Sequence, residues 1–149
     1  KTNINQSDYK AVANKDMVKS KSDIDENIKL KNFKVVDARS YERFKGIVPE
    51  LRTNVKSGSI KGSYCLPFTK IINKNNNTFK NKDELNQIFK EVIDTKHNNI
   101  VFSCGSGVTA SVLALAYSLI NNKYTPTIYD GSWSEYGLIK WKDQPKFYQ

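Results

Sequence analysis

One cysteine stands where an apolar run gives way to a helical pattern. Cys104 follows the β-favouring stretch 100–103, and a Gly-Ser-Gly segment at 105–107 separates it from a helical pattern that starts at residue 108. The first amides of a helix lack intrahelical partners, and two glycines let the loop turn further amides inward. Such donors convert a thiol with an ordinary pKa of about 8.5 largely to thiolate near neutral pH. The pattern predicts a nucleophile at Cys104; the alternative is a small buried residue beside a strand-to-helix turn.

Phosphate chemistry is the first competitor for this loop. Cysteine phosphatases complete a similar anion-binding loop with an arginine six positions after the cysteine. The guanidinium of this arginine donates two parallel hydrogen bonds to the phosphate oxygens. Here that position is Ala110, which argues against a phosphatase. The other cysteine, Cys65, lies in a short apolar run, and we expect it to be a core residue rather than a resolving thiol. Two cysteines so far apart form neither a metal site nor a disulfide framework, so we expect a reducing compartment.

A long stretch between two predicted strands carries three arginines. Arg39, Arg43 and Arg52 follow the first of these strands, so their side chains can reach the sheet edge that also holds Cys104. The planar fork of arginine offers a small carboxylate two parallel hydrogen bonds. Because a buried guanidinium needs several partners, we expect Arg39 to hold the loop by pairing with backbone or acidic groups. For Arg43 and Arg52 the residues alone leave substrate binding and a structural role equally open.

Hydrophobic periodicity predicts strands that alternate with helices. We predict strands at 33–36, 63–66, 100–103 and 127–129, helices at 24–30, 82–93 and 108–120, and a turn at 130–132 that caps a short helix. The helix at 108–120 carries an apolar stripe of Val108, Val112, Leu115, Leu119 and Ile120. This alternation favours an α/β fold with a central parallel sheet and helices on both faces. Ligands collect at the carboxyl edge of such a sheet, where Cys104 lies.

The composition suits one compact domain. The 149 residues are 38% hydrophobic, and no apolar run is long enough to span a bilayer. Lys and Arg number 24 against 15 Asp and Glu, a formal net charge of +9. The lysines are scattered and often stand beside asparagine, so a solvated basic surface is favoured over nucleic-acid binding. We expect no membrane association.

The two ends of the chain differ in pattern. Residues 1–15 are polar and weakly patterned, so we interpret them as a linker that enters a domain at 16–149. The chain begins with Lys1 rather than methionine and lacks the charged-then-apolar pattern of a signal peptide. We therefore expect a trimmed piece of a longer protein, with any targeting segment outside it.

Four separated motifs resemble a known superfamily. They are VVDARSYERFKG at 35–46, PELR at 49–52, CGSGVTAS at 104–111 and YDGSWSEYG at 129–137. In this order they are similar to the rhodanese superfamily, and within it to the catalytic C-terminal domains of the 3-mercaptopyruvate sulfurtransferases. The likeness runs from about Asp23 to about Gly137. Gly-Ser-Gly after the cysteine is typical of that group, whereas thiosulfate-specific rhodaneses tend to carry basic residues there. The resemblance implies a rhodanese-like α/β fold.

The resemblance also implies roles for individual residues. Cys104 would accept the sulfur, while Arg43 and Arg52 would clamp the carboxylate and keto oxygen of the substrate. Ser106 would relay a proton or polarise the cysteine. The remaining residues of the cradle and substrate site would be Gly105, Gly107, Val108 and Thr109. Trp133 would be either a wall of the pocket or a packed core residue.

The implied activity is a sulfurtransferase without a cofactor. A Cys104 thiolate would take the sulfur of 3-mercaptopyruvate, release pyruvate, and pass the sulfur to a thiol acceptor such as reduced thioredoxin or a small thiol. The alternatives are a thiosulfate sulfurtransferase, or a non-catalytic rhodanese module for sulfur relay or partner binding. The expected location is the cytoplasm or the mitochondrion.

The chain departs from the family pattern in two ways. The usual Gly-His-Ile-Pro-Gly turn reads GSIKG, with Ser59 for the histidine and Lys61 for the proline, which we interpret as a change in loop packing. In the two-domain family an inactive N-terminal rhodanese domain supplies an aspartate and a histidine that complete the serine relay. We expect that domain to be missing here, since the only histidine, His97, lies in a polar turn typical of the surface. The isolated domain is therefore expected to be weakly active.

Overall fold

A parallel sheet forms the centre of the fold. The computed structural model describes residues 8–94 and 98–139. The strands are β1 (Val18–Lys19), β2 (Lys34–Asp37), β3 (Tyr64–Cys65), β4 (Ile100–Ser103) and β5 (Ile128–Tyr129). All pairs are parallel, in the order β1-β5-β4-β2-β3. This confirms the predicted parallel sheet. Strand β1 is absent from the prediction because residues 18–19 lie in a polar stretch without a β-favouring run.

Helices connect the strands. Within the described residues they are α1 (Lys21–Leu30), α2 (Tyr41–Lys45), α3 (Lys82–Lys90), α4 (Val108–Ile120) and α5 (Ser132–Tyr136), with 3₁₀ turns at Lys15–Met17 and Phe68–Ile71. Helix α1 begins with a capping box, in which Ser20 and Asp23 exchange side-chain and backbone hydrogen bonds. Helix α2 lies inside the long stretch between the first two predicted strands, where no helix was predicted. Its cap at Ser40 and its stop at Gly46, with a φ of +72°, confine it to five residues, too few for a helical period.

The two faces of the sheet carry separate cores. Val35 pairs with Val101 and Val36 with Phe102, so alternate residues of β2 and β4 point to opposite faces. Val36 and Phe102 pack with buried residues of α3 and α4. Val35 and Val101 pack with buried residues of α1 and α5. The prediction of helices on both faces is confirmed.

Helix α4 buries a different face from the apolar stripe in its sequence. Of that stripe, Val108, Leu115 and Leu119 are 71%, 52% and 43% exposed. The buried residues of this helix are Ala110, Leu113, Ala114, Ala116 and Tyr117. Alanines let the helix approach the sheet closely, and the Tyr117 ring packs edge-on against neighbouring aromatic rings. Because α4 is apolar almost all round, its periodicity alone does not select the buried face.

Some predictions fall at the limits of the described residues. Residues 8–14 are exposed and form neither helix nor strand, while residues 1–7 and 140–149 lie outside the described part. The division into a linker at 1–15 and a domain at 16–149 therefore stays a prediction. His97 also lies outside the described residues. Of the helices that the structure describes, none combines the length and apolar character needed to cross a bilayer.

Candidate active site

The Cys104 loop opens on the carboxyl edge of the sheet. Asp37 of β2 lies in register with Ser103 of β4, so the segments that follow these two strands emerge side by side. Gly107 completes the turn into α4 with a φ of +83°, and a Cβ there would come within 2.8 Å of an Asp130 carboxylate oxygen. Both the backbone conformation and the close approach require glycine at this position.

Hydrogen-bond donors converge on the Cys104 sulfur, which is buried in the loop. The residue is 2% exposed, and its Sγ accepts a hydrogen bond from the Ser106 amide at 3.4 Å. Burial raises the pKa of the thiol. Hydrogen bonds from the Thr109 hydroxyl and from the amides of Ser106, Ala110 and Thr109 outweigh burial and hold the pKa below its ordinary value. These donors belong to the loop and the first turn of α4, and they favour the thiolate.

A cavity of about 210 Å³ opens beside this sulfur. Among the predicted site residues it is lined by Arg43, Arg52, Cys104, Gly105, Ser106, Val108 and Thr109. Gly107 is not part of the lining, because its amide donates to the Ser132 Oγ at 3.1 Å instead of facing the sulfur. The lining residues that sequence reasoning missed are Glu50, Leu51, Val55 and Ser134. The structure thus gathers residues from the long arginine-bearing stretch around the cysteine.

Arg43 lies against the cysteine loop. Its Nη2 and Nε donate to the two carboxylate oxygens of Glu50 at 2.5 and 3.3 Å. A Cβ on Gly105 would lie 3.2 Å from Nη2 of Arg43, so glycine at this position lets the guanidinium approach the loop. The side chain is 26% exposed. The pair with Glu50 leaves N–H groups of Arg43 for a ligand in the cavity.

Glu50 is the main residue that the sequence analysis overlooked. Its side chain is 5% exposed and accepts hydrogen bonds from both Arg39 and Arg43. Burial raises the pKa of the Glu50 carboxyl, but the two arginines more than offset burial and hold the pKa below its ordinary value. One signal could have revealed it, since Glu50 is the acidic residue nearest to Arg52 in a stretch that holds three arginines.

Arg52 differs from Arg43 in its surroundings. It is exposed, lines the cavity, and forms no ion pair with any residue in the described part of the chain. Its guanidinium can therefore meet an anionic ligand without first leaving a carboxylate. Arg43 and Arg52 lie at one cavity with Cys104, as a clamp on a small carboxylate requires.

Ser106 presents its amide to the sulfur. The residue is exposed on the rim of the cavity. Its hydroxyl has no hydrogen-bond partner within residues 8–94 and 98–139, so its role in a relay stays a prediction.

Arg39 is structural, as predicted. It is 3% exposed and donates to both carboxylate oxygens of Asp37, to Glu50 and to the Gly58 carbonyl. Its guanidinium also lies 4.8 Å from the ring centroid of Trp133. Trp133 is itself 2% exposed and donates from Nε1 to the Lys56 carbonyl at 2.7 Å. The packed interpretation of Trp133 is correct, and it does not line the cavity.

Helix α5 supports the loop from behind. The hydroxyl of Ser132 accepts hydrogen bonds from the amides of Cys104 and Gly107, both at 3.1 Å. The amides of Trp133 and Ser134 donate to the carbonyls of Cys104 and Gly105, both at 2.9 Å. The predicted turn at 130–132 does lead into a short helix, but no side chain caps it, because the N-cap residue is Gly131.

Cys65 contrasts with Cys104. It is half-buried at the end of β3, and its thiol donates weakly to the Arg39 carbonyl, with a sulfur–oxygen distance of 3.7 Å. Burial, followed by the negative charge of Asp37, raises the pKa of the Cys65 thiol to about 11. A thiol with so high a pKa is a poor nucleophile near neutral pH, which argues against a resolving role. The expected core position is wrong, because Cys65 is only half-buried and belongs to neither core cluster.

Known proteins match this chain over most of its length. The rhodanese-like domain family matches residues 20–138. The 3-mercaptopyruvate sulfurtransferase of Mus musculus is 36% identical over 136 residues, which cover 91% of this chain and 45% of that protein. The thiosulfate sulfurtransferase of Rattus norvegicus is 34% identical over 129 residues, which cover 86% of this chain and 43% of that protein.

A solved structure gives the same result. The crystal structure of a 3-mercaptopyruvate sulfotransferase from Escherichia coli superposes with a TM-score of 0.67 at 32% identity. The match covers 86% of this chain and 46% of the other. The chain thus spans about half the length of the relatives it matches.

Proposed function

Since the chain belongs to the rhodanese-like domain family, we propose that it transfers sulfane sulfur from 3-mercaptopyruvate through a persulfide on Cys104 to a thiol acceptor, with release of pyruvate. One observation carries this proposal: a thiol with a lowered pKa shares a small cavity with Arg43 and Arg52. A nucleophile beside two guanidinium groups suits a substrate that joins a transferable sulfur to a carboxylate.

The first half-reaction forms the persulfide. The Cys104 thiolate attacks the sulfur of 3-mercaptopyruvate, and the new sulfur–sulfur bond forms as the carbon–sulfur bond breaks. The electron pair of that bond leaves with the carbon as the enolate of pyruvate, which takes up a proton. Arg52 and the N–H groups of Arg43 not used by Glu50 hold the carboxylate and the developing enolate oxygen.

The cradle of amides serves both states of the sulfur. In the resting state the donors of Ser106, Thr109 and Ala110 hold the thiolate. In the persulfide the negative charge lies one atom further out, towards the cavity and still in front of the first turn of α4. A thiol acceptor, either reduced thioredoxin or a small thiol, then attacks the outer sulfur and returns Cys104 to the thiolate.

A second rhodanese domain on the N-terminal side is part of the proposal. Leu51 and Val108 line the cavity yet are 86% and 71% exposed, and Leu115 continues this apolar surface along α4. Large exposed apolar side chains at the mouth of a site are typical of a surface that another domain covers. That domain would supply the aspartate and histidine that join Ser106 in a relay. We place the whole protein in the cytoplasm or the mitochondrion.

The second candidate is a thiosulfate sulfurtransferase. Its support is the likeness to the thiosulfate sulfurtransferase of Rattus norvegicus. The loop of this chain weighs against it, since residues 105–107 carry no basic side chain to hold the second charge of thiosulfate.

Mass analysis tests the proposal directly. The chain, joined to its N-terminal domain, is incubated with 3-mercaptopyruvate and separately with thiosulfate, and the intact mass is measured. We expect one added sulfur from 3-mercaptopyruvate in the parent and in Cys65→Ser, and none in Cys104→Ser. An unmodified parent at saturating 3-mercaptopyruvate contradicts the proposal, and faster labelling by thiosulfate favours the second candidate. Turnover by the isolated domain, compared with the joined protein, tests whether the domain acts only as a relay or binding module.

A further inference from the structure

Ser132 is fully buried behind the cysteine loop and uses its whole hydrogen-bonding capacity there. Its exposure is 0%. The hydroxyl oxygen accepts from the amides of Cys104 and Gly107 and donates to the Tyr129 carbonyl at 2.8 Å. A serine hydroxyl has one donor and two acceptor sites, so no capacity is left over.

The backbone of Ser132 is held in an unfavourable region. Its φ is +50°, a left-handed conformation in which the Cβ crowds the backbone and which glycine adopts more easily. The neighbouring Gly131 has an ordinary helical φ of −55°. The residue in the left-handed conformation is therefore Ser132, which has a hydroxyl, and not the adjacent Gly131. Local strain of this kind persists where surrounding contacts hold it in place.

We propose that Ser132 is a positioning residue for the nucleophile: its hydroxyl ties together the first and last residues of the loop 104–107, so that the loop and α4 amides converge on the Cys104 sulfur. The amides of Trp133 and Ser134 assist by fixing the carbonyls of Cys104 and Gly105. The three hydrogen bonds of the Ser132 hydroxyl go to backbone groups, and Ser132 does not line the cavity, so it acts through the backbone. The part of this inference that concerns the persulfide rests on the proposed function.

The physical consequence follows from the donors themselves. The amide N–H groups stabilise a charge on sulfur only when they point at it, because hydrogen-bond strength falls steeply with angle. Without the Ser132 hydroxyl, the amides of Cys104 and Gly107 lose their buried acceptor and must find another. The loop then relaxes, and both the thiolate and the persulfide anion lose part of their stabilisation.

Two substitutions separate the hydroxyl from the backbone strain. Ser132→Gly removes the hydroxyl and suits the left-handed φ, while Ser132→Ala removes the hydroxyl and keeps the Cβ. Ser103→Ala is the matched control, because Ser103 is also 0% exposed, adjoins Cys104, and has a hydroxyl without a hydrogen-bond partner among the described residues. All three are made with Cys65→Ser, so that one thiol remains to react.

The measurement is the rate of alkylation of Cys104 by iodoacetamide as a function of pH, on the 149-residue chain. We expect the midpoint to rise by about one pH unit in both Ser132 variants, a tenfold smaller thiolate fraction well below the midpoint, and to stay unchanged in Ser103→Ala. A parent-like midpoint in Ser132→Gly overturns the inference, since Ser132 would then only shape the turn. If Ser132→Ala does not fold, the glycine variant still decides. Alkylation needs no sulfur donor, so its outcome is independent of the proposed function.

A second readout concerns turnover. If the loop also holds the persulfide, kcat for 3-mercaptopyruvate falls about tenfold in Ser132→Gly, while KM stays near the parent value because Arg43 and Arg52 are untouched. A rise in KM at unchanged kcat would contradict a role in positioning the sulfur.

Discussion

The two cysteines of this domain occupy equivalent places and have opposite chemistry. Each lies at the carboxyl end of a parallel strand, Cys65 at the end of β3 and Cys104 directly after β4. Burial raises the pKa of both thiols. At Cys104 the helix start and its loop supply donors that reverse the effect, whereas Cys65 meets the negative charge of Asp37 and has a pKa of about 11. Hydrogen-bond donors, and not exposure, therefore decide which cysteine reacts.

The largest expected effect is the difference in reactivity between these thiols. With a pKa of about 11, on the order of one Cys65 thiol in ten thousand is ionised at pH 7. In single-cysteine proteins, Cys65→Ser and Cys104→Ser, we expect iodoacetamide to alkylate Cys104 at least about a hundredfold faster at pH 7. Mass spectrometry over time gives both rates. Equal rates would remove the contrast between the two sites.

A buried ion network lies between the cysteines and is expected to carry the next largest effect. Glu50 joins Arg39, whose carbonyl accepts from Cys65, to Arg43, which lies against Gly105. Glu50→Gln leaves the buried Arg39 charge less well compensated and should lower the free energy of unfolding by about 3 kcal/mol at pH 7. Urea denaturation measures this, with the exposed Glu91→Gln as a control.

The pH dependence of stability gives the same network a second test. The folded pKa of Glu50 lies below its unfolded value of about 4.3. Its contribution is therefore present above the unfolded pKa and is lost as the pH falls through the folded pKa. We expect the free energy of unfolding to fall less in Glu50→Gln than in the parent as the pH is lowered from about 6 to about 3, a range that brackets the unfolded pKa. An equal loss in both proteins would show that the protonation of Glu50 does not cause the loss of stability at low pH.

Arg52→Ala separates substrate binding from the state of the thiol. A charge-assisted hydrogen bond to a substrate carboxylate contributes about 1.5–3 kcal/mol, so kcat/KM for 3-mercaptopyruvate should fall by roughly ten- to a hundredfold. The alkylation midpoint of Cys104 should stay in place. Steady-state kinetics check the first point, with the exposed Lys61→Ala as a control for lost charge. A smaller effect would make Arg52 a rim residue.

The smallest expected effect tests a single donor. Thr109→Val keeps the shape of the side chain and removes its hydrogen bond to the Cys104 sulfur, the strongest of the effects that lower this pKa. We expect the alkylation midpoint to rise by about half to one pH unit, since one hydrogen bond contributes about 1 kcal/mol. The exposed Thr78→Val serves as the control. An unchanged midpoint would assign the low pKa to the backbone amides alone.

Sequence reasoning reached the fold class and most of the lining of the site. The alternation of strands and helices predicted the parallel sheet. The position of Cys104 between a strand and a helix predicted that this residue lies at the carboxyl edge of the sheet. The motifs that contain Arg43 and Arg52 predicted a place for both arginines in the substrate site, and both line the cavity. These features are encoded in short segments, where periodicity, glycine and helix starts act over a few residues.

The remaining features depend on contacts between distant parts of the chain. Glu50 is an acceptor for Arg39 across 11 residues, and the Ser132 hydroxyl meets the Cys104 amide across 28 residues. Local patterns carry no information on such pairs, which exist only when the sheet brings its strand ends together. The same holds for α4. Apolar residues lie on almost all sides of this helix, and only its packing against the sheet determines that the face with the alanines and Tyr117 is buried. The sequence by itself determined which residue could become a thiolate, and the tertiary structure decided which groups hold it there, because burial and hydrogen bonding act through space and not along the chain.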